Sequence, residues 1–250
     1  MAEEEKIREH AKEALLALAD KKKGWKEKSK DFLWEILIIV VAINLTLWFH
    51  NWSDKRHDRE LEKDFLIGIK GDLGIVKNNL KIFLTDYQHT LNYYDSVWVQ
   101  TNEHRINEAF IDTNSLELVN TLYFTYDKSR FESFKSSGYL RLIENTVLSL
   151  NINQLYSNNL PWRETMDKTL FDNRQRDFTT YIGSKAQIDS SGIVYVSKLL
   201  NNPDFKFQIY MQRLLLKEMA RQKQDLIRFV DDVITQIDQE LKKRFSYPGK

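Results

Sequence analysis

Cysteine is absent from the 250-residue sequence, and only 8 glycines and 3 prolines occur. The lack of cysteine excludes disulfides, thiolate metal sites and cysteine nucleophiles, and it permits an oxidising compartment. Because glycine and proline are scarce and 29% of residues are charged, the composition favours long helices over strands and turns. The formal net charge of +1 argues against a nucleic-acid-binding protein, since such domains are usually strongly basic.

Catalytic and cofactor motifs are missing as well. The sequence has no phosphate-cradling glycine loop, and Gly68, Gly71 and Gly74 have the wrong spacing for dinucleotide binding. The histidines form neither a His-x-x-x-His nor a Glu-x-x-His set. We therefore predict a protein that is not an enzyme, with no catalytic residue, metal site or cofactor. Several aromatic residues could line a pocket, although at helical spacing they more often form core: Tyr93, Tyr94, Tyr123, Phe124, Tyr126 and Trp162.

The dominant feature of the sequence is one long apolar stretch, residues 32–49. Its single charged residue is Glu35, and Asn44 and Thr46 are polar. In a helix these residues extend over roughly 27 Å, close to the hydrocarbon thickness of a bilayer. A buried helix of a soluble protein is usually shorter, and a cleaved signal peptide would need a small-x-small site that does not follow here. We predict a transmembrane helix over residues 31–53.

Tryptophans and cations flank this stretch on both sides. The indole ring prefers the zone between lipid tails and headgroups, and lysine and arginine reach the aqueous side. The residues predicted to lie at the membrane interface are Trp25, Lys28, Lys30, Trp34, Trp48, Trp52, Lys55 and Arg56.

Glu35 and Asn44 are unusual for their positions inside the apolar stretch. Glu35 can sit at the interface and pair with Lys28 or Lys30, or it can make a functional interhelical contact. Asn44 lies near the middle, where a hydrogen bond to another transmembrane helix would be worth roughly 0.5–2 kcal/mol. Because each chain has one predicted span, that helix must come from another chain. We therefore expect an oligomer with transmembrane contacts at Glu35 and Asn44.

The arm before the span, residues 1–30, is charged and amphipathic. Residues 3–23 predict a helix with one apolar face, which either lies on the membrane or a partner or is simply solvated. Six lysines occur between residues 21 and 30, more than flank the span on its other side. The positive-inside rule then predicts a bacterial inner-membrane protein with a cytoplasmic N-terminus and a periplasmic C-terminal domain.

Residues 54–250 predict a helical domain that begins with a long helix. From Arg59 onward, apolar residues recur at steps of three or four. They are Leu61, Phe65, Ile69, Leu73, Val76, Leu80, Phe83, Tyr87, Leu91, Tyr94 and Trp98. This helix can continue from the span without a break. Gly68, Gly71 and Gly74 predict either local softness, which we favour, or a hinge or close helix contact.

Shorter helices are expected to follow, with a second long helix at the end. Residues 116–126 could form a helix or a strand, and we favour a helix because the neighbouring segments are helical. Ser129 with Glu132 predicts a capping box, and Pro161 predicts a kink or interruption. The last helix is predicted over residues 205–245, preceded by Asn202 as its cap. Its expected inner face is Met211, Leu215, Met219, Gln222, Leu226, Phe229, Val233, Ile237 and Leu241. The predicted fold is all-α: a single N-terminal transmembrane helix followed by an elongated helical-bundle domain with long first and last helices.

Three groups of residues carry a resemblance to a known family. They are Asn51-Trp52 with Arg56, Arg59, Glu62 and the 65–73 run, then Phe131-Glu-Ser-Phe-Lys-Ser-Ser-Gly138, and finally Asn202-Pro-Asp-Phe205. Together with the span, they resemble an uncharacterised family of single-pass membrane proteins from Bacteroidota. The lysine-rich arm departs from that pattern. The resemblance implies envelope location and helical architecture, and no activity.

These observations leave three functional hypotheses. The preferred one is a non-enzymatic, membrane-anchored interaction or scaffold protein that self-associates or docks to an envelope partner. A sensory or ligand-binding helical bundle is the second, although the short arm leaves little room for a cytoplasmic output domain. The third is a subunit of an oligomeric pore. The expected partners are the lipid bilayer and either a second copy or another membrane protein, with no nucleic acid.

Overall fold

The computed structural model describes residues 2–19, 25–120 and 122–247. Within these ranges, the side chains of residues 2–5, 17–19, 25–28, 175 and 177 are not described. The chain divides into two units, Met1–Leu61 and Glu62–Lys250. Almost all regular structure in the described ranges is helical, which confirms the all-α prediction.

The first unit contains helix α1, Ala2–Ala19, and the beginning of helix α2, Trp25–Asn102. Helix α2 is uninterrupted over its 78 residues. The prediction that the apolar span and the first helix of the domain form one helix is therefore confirmed. Strong helix formers and the absence of proline over this length remove the usual causes of a break.

Helix α2 buries the predicted stripe in the second unit. Ile69, Leu73, Leu80 and Tyr94 are inaccessible to solvent, and the rest of the stripe is buried or half-buried. Steps of three and four keep these side chains on one face over about nine turns. The periodicity of the sequence thus predicts both the helix and its buried face.

The glycines near the start of this helix differ from one another. A methyl group at Gly68 would collide with the guanidinium of Arg130, whereas Gly71 and Gly74 face open space. The Nε–H of Arg130 donates to Oδ2 of Asp72 at 2.7 Å, which holds the guanidinium over the glycine. The close contact that we did not favour therefore occurs at Gly68.

Short helices connect α2 to the central part of the domain. They are α3, Glu108–Thr113, and α4, Ser129–Ser136, with 3₁₀ turns at Ser115–Leu118 and Tyr139–Leu142. The predicted helix over 116–126 is wrong, because after the 3₁₀ turn the described backbone is irregular. Phe124 is buried there, and its N–H donates to a carboxylate instead of to a helical carbonyl.

The predicted capping box at the start of α4 is also absent. Ser129 is the first residue of the helix, and the N-cap residue before it is Lys128, whose side chain makes no capping hydrogen bond. Instead, Oδ1 of Asp127 accepts from the N–H of Ser129 at 2.8 Å. Asp127, two residues earlier, thus satisfies the first free amide. A hydrogen bond with the Ser129 side chain, and then the bond with its backbone N–H, lower the pKa of the Asp127 carboxyl.

Residues 146–185 form one helical stretch with two π-helical turns. It consists of α5, Thr146–Gln154, a π turn at Leu155–Asn159, α6, Leu160–Asn173, a second π turn at Arg174–Phe178, and α7, Thr179–Lys185. Pro161 neither ends nor interrupts the stretch. The wider π turn opens the backbone at the carbonyls that a proline ring would otherwise contact.

A short β-hairpin, with two residues in each strand, and the last long helix complete the domain. The strands β1, Gln187–Ile188, and β2, Val194–Tyr195, pair antiparallel. Helix α8, Pro203–Phe245, begins at Asn202, whose side chain accepts from the N–H groups of Asp204 and Phe205. The predicted start and the long last helix are both confirmed.

Helices α2 and α8 run antiparallel in the second unit. Ion pairs join Glu62 with Arg244 and Asp95 with Arg213, so positions later in α2 meet positions earlier in α8. Two hydrophobic clusters lie between the helices: one is centred on Leu66, Leu80 and Val233, and the other on residues such as Tyr94 and Phe205. Burial raises the pKa of the Glu62 carboxyl, and the pairing with Arg244 opposes that shift.

The inner face of α8 differs from the prediction in its first half. Met211 and Leu215 are 44% and 41% exposed, while Phe205, Ile209 and Leu216 are buried. Both series have helical spacing, so periodicity alone does not distinguish them. The packing against α2 selects one series and leaves the other in contact with solvent.

Candidate functional site

The predicted span is an exposed apolar helix. By length and composition, an 18-residue window of α2 is able to cross a membrane, and no residue in that window is buried. A buried core helix of a soluble protein would satisfy the same criteria of length and composition. The exposure of this segment distinguishes it from such a helix.

The described side chains at the ends of the span are exposed. Trp34, Trp48 and Trp52 each expose more than half of their surface. The guanidinium of Arg56 lies 5.9 Å from the Trp52 ring centroid, and its Nε is 3.4 Å from Oε1 of Glu60. Further predicted interface residues with described side chains, Lys30 and Lys55, are exposed. The side chains of Trp25 and Lys28 lie outside the described residues.

The polar residues within the span bond to their own helix. The Nδ2–H of Asn44 donates to the carbonyl of Val40 at 2.7 Å. The hydroxyl of Thr46 donates to the carbonyl of Ala42 at 2.9 Å. A hydroxyl has one proton to donate, so this bond satisfies Thr46 as a donor, whereas the amide of Asn44 has a second N–H and an acceptor.

Glu35 lines a cavity inside the first unit. The cavity has a volume of about 550 Å³ and lies between Lys6, Ile7 and His10 of α1 and the apolar residues around Ile39 of α2. The Oε2 atom of Glu35 is enclosed and has no hydrogen-bond partner among the described residues. The structure thus brings Glu35 close to α1.

The second unit contains a buried cluster of charges between α2, α6 and α8. Asp167 is its centre: Oδ1 is 2.7 Å from Nη2 of Arg163, and Oδ2 accepts from Nζ of Lys223. The hydroxyl of Tyr87 and the N–H of Phe124 also donate to this carboxylate, at 3.4 and 3.3 Å. All three charged side chains are at most 3% exposed. Two cations therefore share one carboxylate in a site without water contact.

Burial shifts the titration of groups in this cluster. It lowers the pKa of Lys223 to about 8, helped by the charge of Arg163 and opposed by Asp167. Burial raises the pKa of the Tyr87 hydroxyl, and the Asp167 charge adds to the shift. The nitrogen of Lys223 lies 4.6 Å from the Tyr87 ring centroid, where the ring face stabilises its positive charge.

The second π turn directs Arg174 into the same region. Its Nη1–H donates to the carbonyl of Asn120 at 3.1 Å, and its Nε–H donates to Oε1 of Gln212 at 3.2 Å. The guanidinium lies 5.3 Å from the Tyr94 ring centroid. A third buried cation thus contacts carbonyl oxygens and an aromatic face.

An open cleft lies beside Arg163, between the first π turn and α8. Its volume is about 750 Å³. Trp162 and Phe229 provide aromatic walls, and Asn159 and Gln222 add amide groups. The Nη1–H of Arg163 donates to Oε1 of Gln222 at 3.1 Å. The Nε–H of Arg163 has no acceptor in the part of the chain that the structure describes.

An apolar stripe is exposed on the first half of α8. Its members follow helical spacing, at steps of three and one. The stripe consists of Phe207, Tyr210, Met211, Leu214 and Leu215. The Tyr210 ring lies 5.3 Å from the Trp98 ring, so one edge of the stripe packs on α2.

Sequence reasoning missed the buried charged cluster, although a signal was present. Leu160, Arg163, Asp167, Leu170 and Arg174 follow one another at steps of three or four. Charged residues at core positions of a helix predict buried ion pairs. Their partner Lys223 lies 56 residues beyond Asp167, and only the packing of α8 on α6 brings them together.

No group of three or more histidine, cysteine, aspartate or glutamate side chains that could hold a metal ion occurs among the described residues. No protein-family model, curated protein or solved structure matches the chain. The resemblance to the Bacteroidota family stays a prediction, and functional proposals rest on the geometry of the chain itself.

Proposed function

We propose that the protein is a non-enzymatic, single-pass membrane protein of the bacterial envelope whose helical domain takes part in interactions outside the bilayer. One observation carries the proposal: an exposed apolar helical segment continues directly into the first helix of a folded domain. A segment of this kind needs an apolar environment, and a lipid bilayer provides one over its length.

The free energy involved is large. Ten or so large apolar side chains between Phe32 and Phe49 expose about half of their surface. Removing that surface from water is worth roughly 1 kcal/mol for each half-exposed side chain, or on the order of 10 kcal/mol for the segment. That sum is comparable with the whole stability of a typical domain, so leaving the segment in water is unfavourable.

Self-association through the span is part of the proposal. In a symmetric dimer, Asn44 of each copy lies at the same depth, so the two amides can bond to each other. The bond to Val40 uses one of the two N–H donors of Asn44 and leaves the acceptor available. A second copy is therefore the partner that matches the remaining polar atoms of Asn44 best.

Alkaline carbonate extraction of membranes from a bacterial host tests the anchor. We expect the full chain to stay in the membrane pellet. The double variant Ile38→Lys with Leu45→Lys should move to the soluble fraction, because each charge in the span costs roughly 2.5–3.5 kcal/mol.

The matched control is Ile75→Lys with Ile82→Lys. Both residues are on α2, both are 63% exposed, and they have the same spacing of seven residues. This control should remain in the pellet. Release of the unmodified chain by carbonate would refute the proposal.

A further inference from the structure

The cleft beside Arg163 has the features of a small-molecule site. It combines a roomy open volume of about 750 Å³ with aromatic walls and amide groups. Trp162 is 61% exposed, which is unusual for the largest apolar side chain in a folded domain. Its indole face is therefore available to a ligand.

The π turn at Leu155–Asn159 forms one side of this cleft. A π turn adds a residue to a helical turn, is costly to maintain, and occurs frequently at functional sites. Here it places Ser157, Asn158 and Asn159 at the cleft, directly before Pro161 and Trp162.

The electrostatics of the floor favour an anion. Arg163 and Lys223 share the single carboxylate of Asp167, so the buried group carries more positive than negative charge. Arg163 lines the cleft and currently gives its Nη1–H to the neutral oxygen of Gln222. An ionised oxygen is a stronger acceptor than an amide oxygen.

The acidic residue at the rim does not cancel this preference. Asp225 lines the cleft, and its carboxylate pairs with Arg221 at 3.3 Å and with Arg228 at 3.4 Å. Its charge is thus compensated at the surface of α8, away from the floor.

We propose that this cleft binds a small organic acid with an aromatic body. The carboxylate replaces Oε1 of Gln222 as an acceptor for the guanidinium of Arg163. The ring lies against Trp162 and Phe229. The Nε2–H of Gln222 donates to Glu218 at the surface, so Gln222 keeps a hydrogen-bond partner when its Oε1 is displaced. The site is independent of the membrane anchor.

Calorimetric titration of the full chain in detergent micelles tests the proposal with three probes. Phenylacetate supplies both the carboxylate and the ring, phenylacetamide removes the charge, and acetate removes the ring. We expect phenylacetate to bind with a Kd of 1 mM or below, and the other two probes to bind at least tenfold more weakly. A Kd for phenylacetate above 10 mM, or equal affinity for the amide, would overturn the proposal.

Variants locate the binding without relying on the buried arginine. Trp162→Ala should weaken phenylacetate binding at least fivefold and leave the melting temperature nearly unchanged, because the side chain is exposed. Phe207→Ala is the matched control: Phe207 is also 61% exposed, but it lies outside the cleft on α8. Binding that is unaffected by Trp162→Ala, or equally affected by both variants, would place the ligand elsewhere and contradict the proposal.

Discussion

At the scale of single residues, the buried cluster around Asp167 is the least expected feature. Removing two cations and a carboxylate from water costs several kcal/mol for each ion, and their mutual attraction offsets this only with good geometry. Four donors converge on the two oxygens of Asp167, from Arg163, Lys223, Tyr87 and Phe124. The carboxylate is well satisfied, whereas the cations outnumber it.

The burial of Lys223, together with the nearby charge of Arg163, predicts a pH dependence of stability. The pKa of Lys223 is about 8 in the folded state, against an ordinary value of 10.5. Between these values the unfolded chain binds more protons than the folded chain, so the free energy of unfolding rises with pH. We expect Lys223 to contribute a rise of about 2 kcal/mol between pH 8 and pH 10.

The measurement is denaturant unfolding of the full chain in micelles, compared with Lys223→Met. The methionine variant should lack the rise. Lys217→Met, which changes a lysine at the surface, should keep it. The series ends at pH 10 because of Tyr94, whose pKa burial raises from the ordinary value of 10 to about 12. Above pH 10 the tyrosine ionises more readily in the unfolded chain, so its contribution to the free energy of unfolding is lost. Equal slopes for the wild type and Lys223→Met would contradict the assignment.

At the scale of elements, helix α2 performs a different task in each of the two units. In its first part the apolar side chains cover all sides, as lipid requires, and in its second part they form one stripe, as a packed bundle requires. The first part contains two polar residues, Asn44 and Thr46. They differ in how many of their hydrogen-bonding groups are satisfied by carbonyls of the same helix. That difference leads to a paired prediction.

Asn44→Leu should weaken self-association of the span. An interhelical amide bond worth roughly 0.5–2 kcal/mol corresponds to a loss of about 2- to 30-fold in the association constant. Thr46→Val should have little effect, because the Thr46 hydroxyl already donates to Ala42. Sedimentation equilibrium in density-matched detergent measures both. A wild type that stays monomeric at all concentrations, with Asn44→Leu indistinguishable from it, would exclude self-association through this residue.

At the scale of the whole molecule, the distribution of charge predicts the orientation of the proposed membrane protein. Six lysines precede the span, and Lys55, Arg56, Arg59 and Lys63 follow it. The excess before the span favours a cytoplasmic N-terminus and a periplasmic domain. The margin is small, so the orientation should respond to the removal of a few charges.

A reporter fused after Lys250 that is active only in the periplasm should be active in the wild type. Replacing Lys26, Lys28 and Lys30 with glutamine should lower that activity, because it reverses the local excess. Replacing Lys217, Lys242 and Lys243, three cations of α8 far along the chain from the span, should leave it unchanged. Activity from a cytoplasm-specific reporter at Lys250 in the wild type would reverse the proposed topology.

Local patterns in the sequence determined the helical architecture. The stripe from Leu61 to Trp98, the cap at Asn202 and the cap at Asn145, which accepts from the N–H of Leu148, depend on residues a few positions apart. Helical spacing and capping act over such distances, so the printed sequence contains them directly.

Only the tertiary structure decided which polar groups meet and which apolar residues stay exposed. Lys223 reaches Asp167 because α8 packs on α6, and Phe205 and Ile209 face inward in place of Met211 and Leu215 because α8 packs against α2. Contacts across 56 residues depend on how helices pack in space, and two apolar series on one helix have the same period. The sequence by itself therefore predicts the long helices and the apolar segment, while packing in three dimensions creates the charged cluster and the cleft beside it.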